Sequence, residues 1–143
     1  MKGYRISDQR SEVNLDVVHG FISNSYWAKD MPKALMASAI ENSMCFSVFD
    51  GEDKQVGFAR IISDQTTFAY LADVFVLPAH RGNGLSKWLM ETIMAHPKLQ
   101  GLRRFMLATS DAHGLYKQYG FDSLSKPGII MEIANPDVYK KPR

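Results

Sequence analysis

Apolar and polar positions alternate along this chain in a way that marks out its elements. "GYRIS" (residues 3–7) reads as a short first strand. Between Ser11 and Tyr26 the apolar residues Val13, Val17, Val18 and Phe21 repeat at the spacing of one helix face. "WAKDMP" interrupts that pattern. Pro32 suits the start of a second helix, with Asp30 as a candidate cap, running through Leu35, Met36, Ala39 and Ile40. From Met44 to Leu77 the pattern becomes that of three strands. Turn signals separate them at Asp50-Gly51-Glu52-Asp53 and Ser63-Asp64-Gln65. A helix follows from about Gly84 to Ala95, with Leu85, Trp88, Leu89 and Ile93 on one face. "RRFMLAT" (103–109) predicts a strand, "DAHGLYKQY" (111–119) a short helix, and "GIIMEIA" (128–134) a last strand. The polar end "NPDVYKKPR" (135–143) is expected to be a loosely ordered tail.

The order is strand, two helices, three strands, helix, strand, helix, strand. No repeat, linker or low-complexity segment divides it. The expectation is one α/β (α+β) domain over residues 1–143, built on a mostly antiparallel sheet. The strand ending at Leu77 is apolar on both alternating sets: Phe68, Tyr70, Ala72 and Val74 on one, Leu71, Phe75 and Leu77 on the other. A strand apolar on both faces is covered on both, which makes it central.

Composition narrows the function classes. The 143 residues suffice for one domain with a core. Hydrophobic content is 45% and charged content 22%, an ordinary globular balance. A formal net charge of +2, with lysines and arginines scattered, gives no reason to expect nucleic acid as a partner. No apolar run approaches the roughly 20 residues of a membrane span, and "MKGYRISDQR" lacks the apolar core of a signal peptide. A cytoplasmic location is the resulting expectation. The single cysteine, Cys45, lies between Met44 and Phe46 and reads as a buried strand residue. His19, His80 and His96 show no metal-ligand spacing, so no metal is expected.

The densest chemistry lies in "DVFVLPAHRGNGLSKWLM" (73–90), where two glycines and an arginine separate the central strand from a helix. Gly82 and Gly84 allow a tight turn and a close approach of backbone to ligand. The helix start offers unpaired N–H groups and a partial positive charge, a natural anion site. Arg81 adds a full charge and a planar donor fork. A merely flexible connection is the alternative reading of the glycine spacing. The nucleotide-hydrolase loop does not fit, because Gly84 is followed by Leu85-Ser86-Lys87. The dinucleotide fingerprint does not fit either, having three glycines after a first strand.

"RGNGLS" resembles the pyrophosphate loop of the GNAT superfamily of acyl-CoA N-acyltransferases, Gln/Arg-x-x-Gly-x-Gly/Ala. Arg81 and Gly84 match its first and fourth positions, and Ser86 stands at the sixth. "AHGLYKQYGF" is similar to a second signature of that family, through Ala112, Leu115, Tyr116, Gly120 and Phe121. An asparagine usual three residues before that alanine is here Thr109. The spacing of the signatures and the order of elements agree over nearly the whole chain. The resemblance implies a single GNAT-like domain whose sheet is splayed in the middle and flanked by helices. It implies acetyl-CoA as cosubstrate, with the pyrophosphate of coenzyme A on the backbone N–H groups of Arg81, Gly82, Asn83, Gly84, Leu85 and Ser86. Phe75 and Val76 would lend backbone groups to the pantetheine arm, beside a bulge. Lys87 is a candidate for the adenosine end.

The implied reaction moves an acetyl group to a primary amine of a small molecule or peptide by direct attack. A lysine-like amine of pKa about 10.4 must lose its proton first, at a cost of roughly 4–5 kcal/mol at pH 7. A base is therefore the most useful group. Asp73 interrupts the apolar central strand and is the base candidate; a salt bridge, with Arg60 as partner, is the competing reading. Asp111 and His113 are rivals for that role, with Asp111 also suited to cap its helix. Tyr116 matches the family tyrosine near the thioester sulfur and is the acid candidate, while Tyr119 reads as packing. Tyr26 and Trp27 would wall the acceptor pocket between the first helices and the splayed strands. The expected partners are the amine substrate and no nucleic acid or membrane; a homodimer is compatible with a domain of this size. A non-catalytic acyl-CoA-binding module of the same fold is the second reading.

Overall fold

The computed structural model describes residues 2–140. Five strands form one sheet in the order β1 (Arg5–Ser7), β2 (Met44–Phe49), β3 (Gln55–Ser63), β4 (Phe68–Val76) and β5 (Arg104–Leu107). The first three pairings are antiparallel and β4 with β5 is parallel. Helices α1 (Leu15–Ile22) and α2 (Lys33–Glu41) cover one face, and α3 (Leu85–Met94) the other; α4 (His113–Lys117) follows β5. The Asn14 side chain accepts from the Val17 N–H and caps α1. At α2 it is Pro32, not Asp30, that stands at the cap position, where its carbonyl receives Leu35 and Met36. Asp30 instead takes a left-handed turn conformation, φ 65°.

Each side of the sheet has its own core. Phe46, Ala59, Ile61 and Leu71 meet Leu85, Leu89, Met90 and Ile93 of α3. Phe58, Phe75 and Cys45 meet Val18, Ile22, Met36 and Ile40 of α1 and α2. Burial pushes the Cys45 thiol up to about 11, so it packs as an inert group. β4 serves both cores, as its two-sided apolar pattern predicts, and it changes faces part-way. Ala69 and Leu71 pack toward α3; further on, Val74 and Val76 do so, and Phe75 turns to α1 and α2. The switch from odd to even positions records one extra residue. Phe58 pairs with Phe75 but Arg60 pairs with Ala72, so β4 carries a bulge there. Asp73 occupies it with φ 55°, a conformation that aspartate tolerates better than most side chains.

One predicted strand does not form. "GIIMEIA" lies outside the sheet: Pro127–Ile129 is a single tight turn and Ile130–Ala134 has no strand pairing. Alternating apolar residues specify a strand only if an edge receives them, and β5 is not paired by this segment here. Within the stretch expected to be a loose tail, Val138–Lys140 makes a turn and Tyr139 packs on the α1/α2 core; residues 141–143 lie outside the described residues. Among the described residues no helix is long and apolar enough to cross a membrane.

Candidate active site

The two parallel strands stay together only from Phe68/Arg104 to Leu71/Leu107. Beyond that point they part, and a cleft of about 740 Å³ opens between them. Its walls are Ala72–Val76 of β4, the segment Leu107–Ala112 after β5, Phe21 and Tyr26–Ala28 from the α1–α2 region, and Tyr116 of α4. The bulge at Asp73 and the short β5 are thus what separates the strands. On the β5 side, β4 beyond Leu71 has no strand partner, so its backbone groups there face the cleft.

At one end of the cleft stands the glycine corner. Gly82 (φ 84°) and Gly84 (φ 77°) are both left-handed, which explains the two glycines. Gly84 is the N-cap of α3, and the first intrahelical bond runs from Trp88 N–H to its carbonyl. The N–H groups at Leu85, Ser86 and Lys87 therefore open the helix without helical acceptors. Space around Gly82 is free: an added Cβ would meet no heavy atom within 4 Å. Arg81 donates through Nε to the Val76 carbonyl, 2.9 Å, pinning the loop to the end of β4. The Asn83 side chain donates to the His80 carbonyl, 3.1 Å. Arg81 and Ser86 line the cleft, whereas the Leu85 side chain is buried in the core and offers the corner only its backbone.

At the other end the surfaces are made by side chains. Asp73 is 8% exposed, and both of its oxygens are engaged. Oδ2 accepts from Arg60 Nε at 2.8 Å and Oδ1 from Trp27 Nε1 at 2.9 Å. Arg60 reaches on to Ser43 Oγ at 3.2 Å. The salt bridge anticipated with Arg60 is present, and the Trp27 bond ties the α1–α2 loop to the bulge. Tyr26 packs edge-on against Trp27, and its hydroxyl accepts from Ser110 Oγ at 2.8 Å across the cleft mouth. Asp111 lines the cleft but makes no capping bond; the Thr109 hydroxyl receives the N–H groups of Asp111 and Ala112 instead. His113 is exposed and outside the cleft lining, and the Tyr119 hydroxyl donates to the Lys87 carbonyl.

Tyr116 is 9% exposed and lines the cleft from the α4 side. Burial, and after it the charges of Asp111 and Tyr26, raise its hydroxyl above the ordinary tyrosine value. It therefore holds its proton through the neutral range. Sequence reasoning missed Arg60 as a cleft residue, and it missed Tyr70, Ser110 and Tyr139. Arg60 carried a signal, being a charge in the apolar run "VGFARIIS"; Tyr139 was an aromatic residue in a polar tail. Among the described residues no group of three or more His, Cys, Asp or Glu is placed to hold a metal ion.

The model of the acetyltransferase (GNAT) family matches residues 16–121, a span that runs from α1 through the glycine corner to Phe121. The chain belongs to the GNAT acetyltransferase family. A crystal structure of a putative GNAT acetyltransferase from Xanthomonas campestris shares 52% sequence identity, covers 99% of each chain and superposes with a TM-score of 0.95. A putative acetyltransferase of Gibberella zeae is 32% identical over 90% of this chain and 88% of its own length. Human N-acetyltransferase 8B is 33% identical over 64% of this chain and 44% of its own length. The five-stranded sheet between helices is thus a GNAT fold, and the cleft lies where its two parallel strands separate.

Proposed function

We propose that the protein is an acetyl-CoA-dependent N-acetyltransferase acting on a primary amine of a small molecule or peptide. One observation carries the proposal. A single cleft joins an anion-receptive helix start, a run of unpaired strand backbone, a protonated tyrosine hydroxyl and a buried carboxylate. When bound, acetyl-CoA supplies the acetyl group as an activated thioester. Backbone N–H groups from Gly82 to Ser86 receive the pyrophosphate, the Arg81 N–H being held by the Pro78 carbonyl, and left-handed Gly82 and Gly84 keep side chains away. The side of β4 that β5 leaves unpaired around Phe75 and Val76, where the Val76 carbonyl is held by Arg81, receives the amide-bearing pantetheine arm in the manner of an added strand.

Tyr116 donates its hydroxyl proton toward the departing sulfur. Because burial keeps that hydroxyl protonated, it is ready to donate at neutral pH. Asp73 receives the acceptor amine. Each of its oxygens already accepts one hydrogen bond, and a carboxylate oxygen has a second lone pair for an N–H or a bridging water. Tyr26, Trp27 and Asp111 form the acceptor wall. Asp111, exposed on the loop before α4, is the alternative proton acceptor.

The test is a thermal-shift titration paired with thiol-release assays across an amine panel. At acetyl-CoA about 100 times its dissociation constant, linkage predicts ~2.7 kcal/mol of stabilisation. A folded protein whose unfolding temperature does not respond to acetyl-CoA refutes the cofactor assignment. A response without thiol release for any amine favours the acyl-CoA-binding module.

A further inference from the structure

The ion pair in the cleft wall leaves capacity unused on both of its charges. Arg60 and Asp73 both line the cleft, with side chains 15% and 6% exposed. A guanidinium carries five N–H donors. Nε donates to Asp73 Oδ2 and Nη1 to Ser43 Oγ, while Nη2 has no partner among the described residues. Among those residues, no buried side-chain nitrogen or oxygen lacks a hydrogen-bond partner. Nη2 is therefore open to solvent, and the cleft is an open space that Arg60 borders. Asp73 keeps a free lone pair on each oxygen. Both groups are held in place, the carboxylate by Trp27 and the guanidinium by Ser43. A pair so far removed from water adds little stability over apolar side chains, so stability alone gives little reason for it.

The pair selects among amines by charge. A plain alkylammonium brought to Asp73 sits beside the Arg60 guanidinium and is repelled by it. An amine that carries its own carboxylate meets both groups, with ammonium on Asp73 and carboxylate on Nη2, so that the charges alternate. The ligand's two charges must lie close together, because the two protein groups are themselves in contact at 2.8 Å. An amine and a carboxylate on the same carbon satisfy this. Phe21, Trp27 and Phe75 border the same cleft and leave apolar wall for a side chain.

We propose that the acceptor is a free α-amino acid, its carboxylate held by Arg60 and its α-amine by Asp73. The inference rests on the acetyltransferase reading and narrows its acceptor. The α-ammonium loses two protons, one replacing the proton that Tyr116 gives to the departing sulfur and one passing to solvent by way of Asp73. Its nitrogen forms the amide bond as the thioester C–S bond breaks, and the sulfur leaves as a thiol.

Thiol release from acetyl-CoA tests this, with each of a set of free amino acids compared with its carboxamide and its decarboxylated amine. Losing the carboxylate contact should lower kcat/KM by about 10–100-fold, mainly through KM. The α-amine of a carboxamide is the weaker base and is neutral more often, so preference for the acid over the carboxamide cannot come from reactivity. Arg60→Lys keeps a cation beside Asp73 and removes the planar fork. It should abolish the preference for the acid over the carboxamide, whereas a merely structural loss would lower both alike and leave their ratio unchanged. A wild-type protein that uses the carboxamide or the decarboxylated amine as well as the acid overturns the proposal. So does an Arg60→Lys variant that keeps the wild-type ratio. Thiol release with other amines but with no amino acid overturns it and leaves the acetyltransferase reading standing; thiol release with no amine overturns both. Should the variant not fold, the wild-type ratio decides alone.

Discussion

The two ends of the cleft are built by different means. The proposed cofactor end is a local construction: Arg81 to Ser86 are contiguous, and what they present is backbone held by two left-handed glycines and a helix start. The proposed acceptor end is assembled from distance. Trp27, Arg60 and Asp73 lie on a loop and two strands, and they meet through two hydrogen bonds to a single carboxylate. A backbone site depends on chain conformation and tolerates variation in most side chains. A side-chain site depends on each partner and on the register that brings them together. Within one fold, the first kind suits a cosubstrate that stays the same and the second an acceptor that varies.

Gly84→Val is the strongest way to separate the two ends. Valine is β-branched and disfavoured at φ 77°, and strain of this kind costs on the order of 1–3 kcal/mol. The backbone would leave the left-handed conformation and the N–H groups at the helix start would turn from the cleft. Loss of the thermal response to acetyl-CoA, with turnover lost alongside, is the expected outcome. A variant that is folded and still stabilised by acetyl-CoA to the wild-type extent would show that the corner is only a connection.

Asp73→Asn addresses the acceptor end alone. Asparagine keeps the shape, tolerates the left-handed bulge and still accepts from Trp27, but it leaves Arg60 without its charge partner. Removing one member of a buried pair commonly costs about 3–5 kcal/mol of stability. Loss of proton-accepting assistance would lower turnover by roughly 10²–10⁴-fold. The acetyl-CoA response, measured as the shift from the variant's own lower unfolding temperature, should persist. Recovery of the rate at higher pH would identify the missing function as removal of the amine proton. Turnover equal to wild type at neutral pH would pass the role to Asp111, with Asp111→Asn as the check.

What the sequence revealed follows the same division. The local signals were legible: the periodicity of α1 and α3, the turns around β3, and the glycine corner with Ser86 at its end. Asp73 stood out as a charge in a central strand, with Arg60 on the preceding strand as a candidate partner, yet nothing in the linear order showed that Trp27 would be its other neighbour. That depends on a one-residue bulge, which alternation alone does not reveal because β4 is apolar on both faces. The strand at 128–134 failed for a related reason. Its pattern is that of a strand, but strand formation depends on an available edge and on where Phe121 and Tyr139 anchor the chain. The cap expected from Asp111 is also absent: Ala112 stands at the cap position with no side-chain bond, and the Thr109 hydroxyl binds the N–H groups of Asp111 and Ala112 just before the helix.

The mildest expected effect comes from Tyr116→Phe, at the junction of the two ends. The ring is 9% exposed and packs near Phe121, so the variant should fold with the aromatic contact intact. Only the hydroxyl is removed. A thiol of ordinary pKa, near ~8.5, leaves without much help, so a loss of ~10–100-fold is expected, at the low end of general-acid contributions. It should fall on kcat rather than KM, because a hydrogen bond to sulfur strengthens as negative charge develops there. The pH dependence has a definite sign. Folding raises the Tyr116 value above 10.0, through burial first, so the native state binds this proton more tightly than the unfolded chain. The associated stability is fully present below about pH 10 and is lost as pH rises through the folded value. By the same sign, an alkaline fall in rate due to Tyr116 should begin above pH 10 in the wild type and be absent in the phenylalanine variant. A variant with wild-type kcat, measured with a slow acyl analogue so that chemistry limits the rate, would leave the tyrosine as packing. The proton for the sulfur would then come from water in the cleft.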